Sequence, residues 1–267
     1  MNDVVIASDE ADATAAQAVE QHHAQMQGAL TVRVDALVAG AAAHDEVAAR
    51  SARADLVAWC RAELVPHAEA EEQALYPAAR ARGEARLLVE GMLGEHDVIR
   101  GLVQELETAP DPVRAAAAAR ALRAVFDAHL AKENELVLPV LMAAPDVSVA
   151  RLLAGMHQVL GGPATGHGHS DGPAEGSCGG HSCSCGEQDA PGFPELDARQ
   201  VPHAIRHATV FGALDSVQAG GGLVLVAPHD PLPLLAQIEQ RYSGGFAVEY
   251  LQRGPDAWRL NLVRRTA

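Results

Sequence analysis

The sequence predicts two folded units: an all-α, up-down-up-down four-helix bundle, then a small α+β domain of order βαβαββ. Three observations carry this. The segment His67-Ala-Glu-Ala-Glu71, followed by an apolar pair and Pro77, recurs as His129-Leu-Ala-Lys-Glu133 with Pro139, its key residues at the same offsets. Four long stretches before residue 143 are amphipathic at helical spacing, whereas short β-rich runs alternate with amphipathic ones after residue 192. Between them, 161–192 is rich in Gly, Ser, His and Cys without an apolar period, the composition of a flexible linker. The expected division is 14–160 for the bundle with a short extra helix, 161–192 for the linker and 193–267 for the α+β domain.

The first helix is expected to reach about residue 39, capped by Asp12 or Thr14. Val19, His23, Met26, Leu30 and Leu37 lie on its inner stripe. His22 and His23 are adjacent, about 100° apart around the axis, so only one points well into a small site. His23 is preferred, because Met26 and Leu30 follow it as Ile99 and Val103 follow His96. Helix two should span about 45–81, with a kink at Pro66 beside His67, and His44 exposed at its start. Helix three carries His96 and ends near residue 108. Asp111-Pro112 reads as N-cap and first-turn proline of helix four, which runs to about 142. A further amphipathic stretch, 147–160, follows.

Beyond the linker, strands are expected at 195–199, 223–227, 246–251 and 257–263 and helices at 203–217 and 231–242, both on one sheet face. The last two strands form a hairpin around Arg253-Gly-Pro-Asp256.

The chain has 267 residues and a net charge of −15, carried by the bundle and linker while the α+β domain is balanced. Such a surface repels phosphate backbones, so nucleic acid is an unsuitable partner. Neither a secretory leader nor a membrane-spanning run is visible. Three of the four cysteines crowd into 178–185 and Cys60 stands alone on a helix, an arrangement that fits a reducing cytoplasm.

Residues four apart on a helix share a face, so each repeat aims an imidazole and a carboxylate the same way. With single histidines from the other two helices, six candidate metal ligands emerge: His23, His67, Glu71, His96, His129 and Glu133. Four neutral imidazoles and two carboxylates suit two iron ions bridged by carboxylate and by oxo or hydroxo groups, with a position left for dioxygen, nitric oxide or peroxide. Glu69, Glu72, Glu135 and Asp97 read as a solvated acidic face. Tyr76 could donate a hydrogen bond to the site or simply pack.

On these residues the first half resembles the hemerythrin-like, HHE cation-binding domain. The resemblance implies that the same six residues hold iron. The oxygen-carrying hemerythrins have a second histidine one turn after the helix-three histidine, where this chain has Arg100. The resemblance therefore implies sensing of small ligands, peroxide handling or iron-centre repair ahead of reversible dioxygen carriage. No catalytic residue is assigned.

In the linker, Cys178, His181, Cys183 and Cys185, with His167 and His169 upstream, offer donors for a second metal or redox site or are plain linker residues. That donor set would also serve an iron-transfer protein, and a peroxide-consuming or oxidase enzyme is a further reading. The last domain resembles the TusA-like sulfur-carrier fold through Leu196-Asp-Ala-Arg199, His229-Asp230-Pro231 and Trp258, specifically its uncharacterised branch that accompanies hemerythrin-like domains. The family's nucleophilic cysteine is replaced by His203, which cannot carry sulfur. His203, His207 and His229 could converge on a metal, a redox-active ligand or an anion, or His229 and Asp230 could cap the second helix. A protein partner acting through this domain is the remaining expectation.

Overall fold

The computed structural model describes residues 10–159, 193–202 and 205–266. Helix α1 spans Glu10–Ala42. The second rod is α2 (Glu46–Trp59), α3 (Val65–Ala70) and α4 (Tyr76–Arg80), joined by π-helical turns at Cys60–Leu64 and Glu71–Leu75. Helix α5 (Arg86–Thr108) is the third rod. The fourth is α6 (Pro112–Lys132) and α7 (Leu138–Ala143), with a π turn at Glu133–Val137 between them. Four antiparallel rods result, and α8 (Val149–Val159) follows.

Local signals explain most boundaries. The Asp45 carboxylate accepts from the Val47 and Ala48 amides to start α2, and Asp111 accepts from the Arg114 amide at 2.9 Å, with Pro112 in the first turn of α6. His44 takes the left-handed turn before α2 and is exposed. The expected cap of α1 is corrected. Asp12 and Thr14 lie inside that helix; the Thr14 hydroxyl donates to the Glu10 carbonyl, and the buried Asp12 carboxylate accepts from Ser148 Oγ and the Ala150 amide. Asp12 thus caps α8.

The kink expected at Pro66 takes a different form. A π turn precedes each interior proline: the Val65, Tyr76 and Leu138 amides reach back five residues to Cys60, Glu71 and Glu133. Proline lacks an amide hydrogen and its ring collides with the carbonyl four residues back, so one extra residue in the turn relieves the clash without ending the rod. Two of the widened turns begin on Glu71 and Glu133.

Two apolar clusters fill the bundle. One contains Leu30, Leu37, Leu56, Leu106, Leu122 and Phe126; the other contains Leu75, Val89, Met92, Val137, Leu141 and Met156, the last from α8. Each buried leucine contributes about 1.5–3 kcal/mol. Cys60 belongs to the first cluster, and burial pushes its thiol up to about 12, which makes it packing material. Along the chain His96 falls between Met92 of one cluster and Ile99 of the other, so the polar residues form a layer between them.

The C-terminal unit runs β1 (Glu195–Asp197), α9 (Arg206–Asp215), β2 (Gly222–Ala227), α10 (Leu232–Tyr242), β3 (Phe246–Arg253) and β4 (Trp258–Arg264). Its sheet has the order β1-β2-β4-β3, parallel between β1 and β2 and antiparallel elsewhere. Leu223, Leu225 and Leu262 share one face and pack with Val210 and Leu214 of α9 and Leu234 and Ile238 of α10. Both helices therefore cover one face, as expected.

This unit docks on the bundle along α1 and α9. A Cβ on Gly28 would stand 2.0 Å from the Thr209 carbonyl oxygen, and one on Gly212 would stand 2.1 Å from that of Gln25. The two backbones touch where each helix has glycine. Val32 of α1 joins the C-terminal core, and Arg33 donates to Ser216 Oγ while pairing with Asp55 at 3.1 Å. Among the described residues, no helix is long and apolar enough to cross a membrane.

Candidate metal centre

The structure brings His23, His67, Glu71, His96, His129 and Glu133 together, all buried. Their donor atoms fall into two sets, His23, His67, Glu71 and Glu133 in one and Glu71, His96 and His129 in the other. Glu71 belongs to both. Its Oε1 lies 2.8 Å from His67 Nε2 and 3.4 Å from His23 Nε2, while its Oε2 lies 3.5 Å from His96 Nε2. Glu133 Oε2 sits 3.7 Å from His23 Nε2 and 3.9 Å from His129 Nε2. Glu71 thus reaches histidines of both sets and Glu133 lies between His23 of one and His129 of the other, the disposition of a bridge.

The donors fit a cation. His23 Nε2, both nitrogens of His67, both oxygens of Glu71 and Glu133 Oε2 are buried and make no hydrogen bond to the described protein, despite their short separations. Burying one polar group unpaired costs several kcal/mol, and a cation between them would satisfy the whole set. The electrostatics agree. Burial alone would raise Glu71, yet the His67 charge and its contacts with His23 and His96 hold it well below the usual carboxylate range. Burial and the adjacent Glu71 charge push Glu133 well above that range, and burial pushes His129 down to about 4. A carboxylate held low at Glu71 and an imidazole held low at His129 are ready to accept positive charge.

A family model described as the hemerythrin HHE cation-binding domain matches residues 14–147, half of the chain. The chain belongs to the hemerythrin HHE cation-binding family. A second model, an uncharacterised conserved protein family (DUF2249), matches residues 195–264, consistent with a TusA-like domain. Neither curated proteins nor solved structures gave a match.

In this hemerythrin-like bundle three of the four histidines are anchored from outside. His23 Nδ1 meets Asn134 Oδ1 at 2.8 Å, His96 Nδ1 meets Glu72 Oε1 at 2.8 Å, and His129 Nδ1 meets Glu95 Oε2 at 3.0 Å. Each acceptor requires the proton on Nδ1, which turns the Nε2 lone pair inward. Cations hold two of these acceptors: Arg100 lies 2.9 Å from Glu72 Oε1, and Lys132 binds Glu95. Glu72 is therefore corrected from solvated surface to orienting residue. Asp97 pairs with Arg100, and Glu69 and Glu135 stay exposed. Arg100 steadies the carboxylate behind His96. Glu95 and Asn134 escaped the sequence reading, although Glu95 precedes His96 and Asn134 follows Glu133 directly. Removing Glu72 or Glu95 by alanine substitution should weaken metal affinity about tenfold to a hundredfold with the fold intact, as equilibrium titration against a competing chelator would measure.

Tyr76 acts as a donor. Its buried hydroxyl donates to Glu133 Oε1 at 2.7 Å and lies 3.1 Å from His129 Nε2, while its ring stacks on His96. Packing and donation coincide here. Burial and the Glu133 and Glu71 charges raise the phenol, so it keeps its proton.

The sequence-predicted Cys178, His181, Cys183 and Cys185, and His203, lie outside the described residues. In the DUF2249 unit, His207 and His229 line one cavity of about 70 Å³ with Arg206. The helix-capping reading of His229 and Asp230 is corrected: α10 begins without a side-chain cap, and Asp230 Oδ1 accepts from the Tyr250 hydroxyl at 2.9 Å. Tyr250, across the sheet, competes for the same carboxylate. The Leu196-to-Arg199 segment closes on itself, Asp197 accepting from the Arg199 amide and guanidinium.

Proposed function

We propose that the bundle is a non-haem di-iron centre that binds or senses dioxygen, nitric oxide or peroxide. The observation that carries this reading is Glu71, shared by two donor sets of which each also has two histidines. His23 and His67 would hold one ion, His96 and His129 the other, and Glu71 and Glu133 would bridge them. Bound iron would supply an open, redox-active coordination position for a small ligand. The chain's own residues prepare that position. Asn134, Glu72 and Glu95 fix three imidazoles, the two apolar clusters keep bulk water away, and Tyr76 places one hydroxyl proton beside Glu133. A donor there can steady an anionic ligand. The acidic surface and a reducing cytoplasm suit a soluble gas- or peroxide-responsive protein, with the C-terminal unit as the element that meets a protein partner.

The test is anaerobic titration of the iron-loaded, reduced protein with nitric oxide, followed by absorbance. A saturating spectral change that Glu71→Ala removes is expected. An unchanged spectrum with nitric oxide, dioxygen and peroxide alike would reject ligand binding, and turnover of peroxide in excess over protein would favour an enzyme.

A further inference from the structure

We propose that the cleft between α1, the second rod and α9 is the loading port of the metal centre, where His22 passes divalent ions to His67. This rests on the reading that the six buried residues hold metal. His67 differs from the other three histidines: it is buried, yet neither of its nitrogens has a hydrogen-bond partner among the described residues. Among the described residues, no acceptor holds its Nδ1 from behind as Asn134, Glu72 and Glu95 hold those of the other three. A ligand held chiefly by the ion is the one that can swing to meet an incoming ion.

The His22 ring lies 5.1 Å from the His67 ring, centroid to centroid. His22 also lines a cleft of about 440 Å³, together with Glu63 and Trp59 of the second rod and Asp215 and Ser216 of the C-terminal unit. The cleft therefore leads from solvent to within one ring of the least constrained ligand. Its donors suit the cargo. The His22 imidazole and the Glu63 carboxylate bind a hydrated ferrous ion without the soft thiolates that would trap it, while Asp215 is held by Arg241 and the Tyr242 hydroxyl. Arg33, the one guanidinium among the described residues that line the cleft, is matched by Asp55. The docked unit supplies one wall, which gives the glycine crossing of α1 and α9 a role in shaping the port.

The experiment mixes metal-free full-length protein with ferrous iron anaerobically and follows uptake by stopped flow and by final metal content. His22 is exposed, so His22→Ala and His22→Gln should fold normally. Loading about tenfold slower in both variants, with unchanged final stoichiometry, is expected, and Glu63→Gln should slow it less. Wild-type loading rates in the His22 variants would overturn the port. A lower final stoichiometry would also overturn it, by making His22 a ligand. Failure of the wild-type protein to take up iron would instead reject the metal centre on which the port depends.

Discussion

Substituting leucine for Gly212 is expected to detach the C-terminal unit from the bundle. Even a Cβ would stand 2.1 Å from the Gln25 carbonyl oxygen, which belongs to a helix backbone and cannot rotate away. Overpacking a tight contact costs about 3 kcal/mol at the upper end of its usual range. Calorimetry should then resolve two unfolding transitions in place of one cooperative event. Gly94→Ala and Gly101→Ala on α5 are the controls. Nothing lies within 4 Å of an added Cβ at either site, so both should gain roughly 0.5–1 kcal/mol from helix propensity. A Gly212→Leu protein that unfolds like the wild type would show that the helices do not cross at these glycines.

Glu71→Ala should have the larger effect on function. Because Glu71 lies in both donor sets, its loss would take a ligand from each of the two proposed ions, and affinity should fall by more than the about hundredfold limit of an outer-sphere change. Metal content should drop below one ion per chain. The metal-free fold should lose stability near neutral pH, because the variant removes the carboxylate that His67, His23 and His96 hold in its charged form and leaves those buried imidazoles without it. Glu69→Ala, two residues away and exposed, should leave both properties unchanged. Equal metal loss in the two variants would contradict the bridging position.

The helical rods and the six converging residues were legible because helical spacing alone determines which side chains share a face. His23 could be chosen over His22 on the same ground: a buried stripe admits one of two adjacent residues. The π turns were less legible. Proline at 66, 77 and 139 announces a disturbance, but whether the helix bends or widens depends on packing along the whole rod. The orienting residues Glu72, Glu95 and Asn134 were hidden for another reason. Each belongs to a different rod from the imidazole it holds, and a single sequence shows no contacts between rods. The seam between the two units was hidden most completely, since it is made by glycines, which leave no apolar pattern.

The most direct measurement is metal analysis of the purified full-length chain after anaerobic reconstitution with ferrous iron. Two irons per chain in the wild type, lost in the Glu71→Ala variant, is the predicted result. Zinc or no metal at all, unaffected by that substitution, would contradict the di-iron account and leave the histidine–glutamate layer as a structural feature of the bundle.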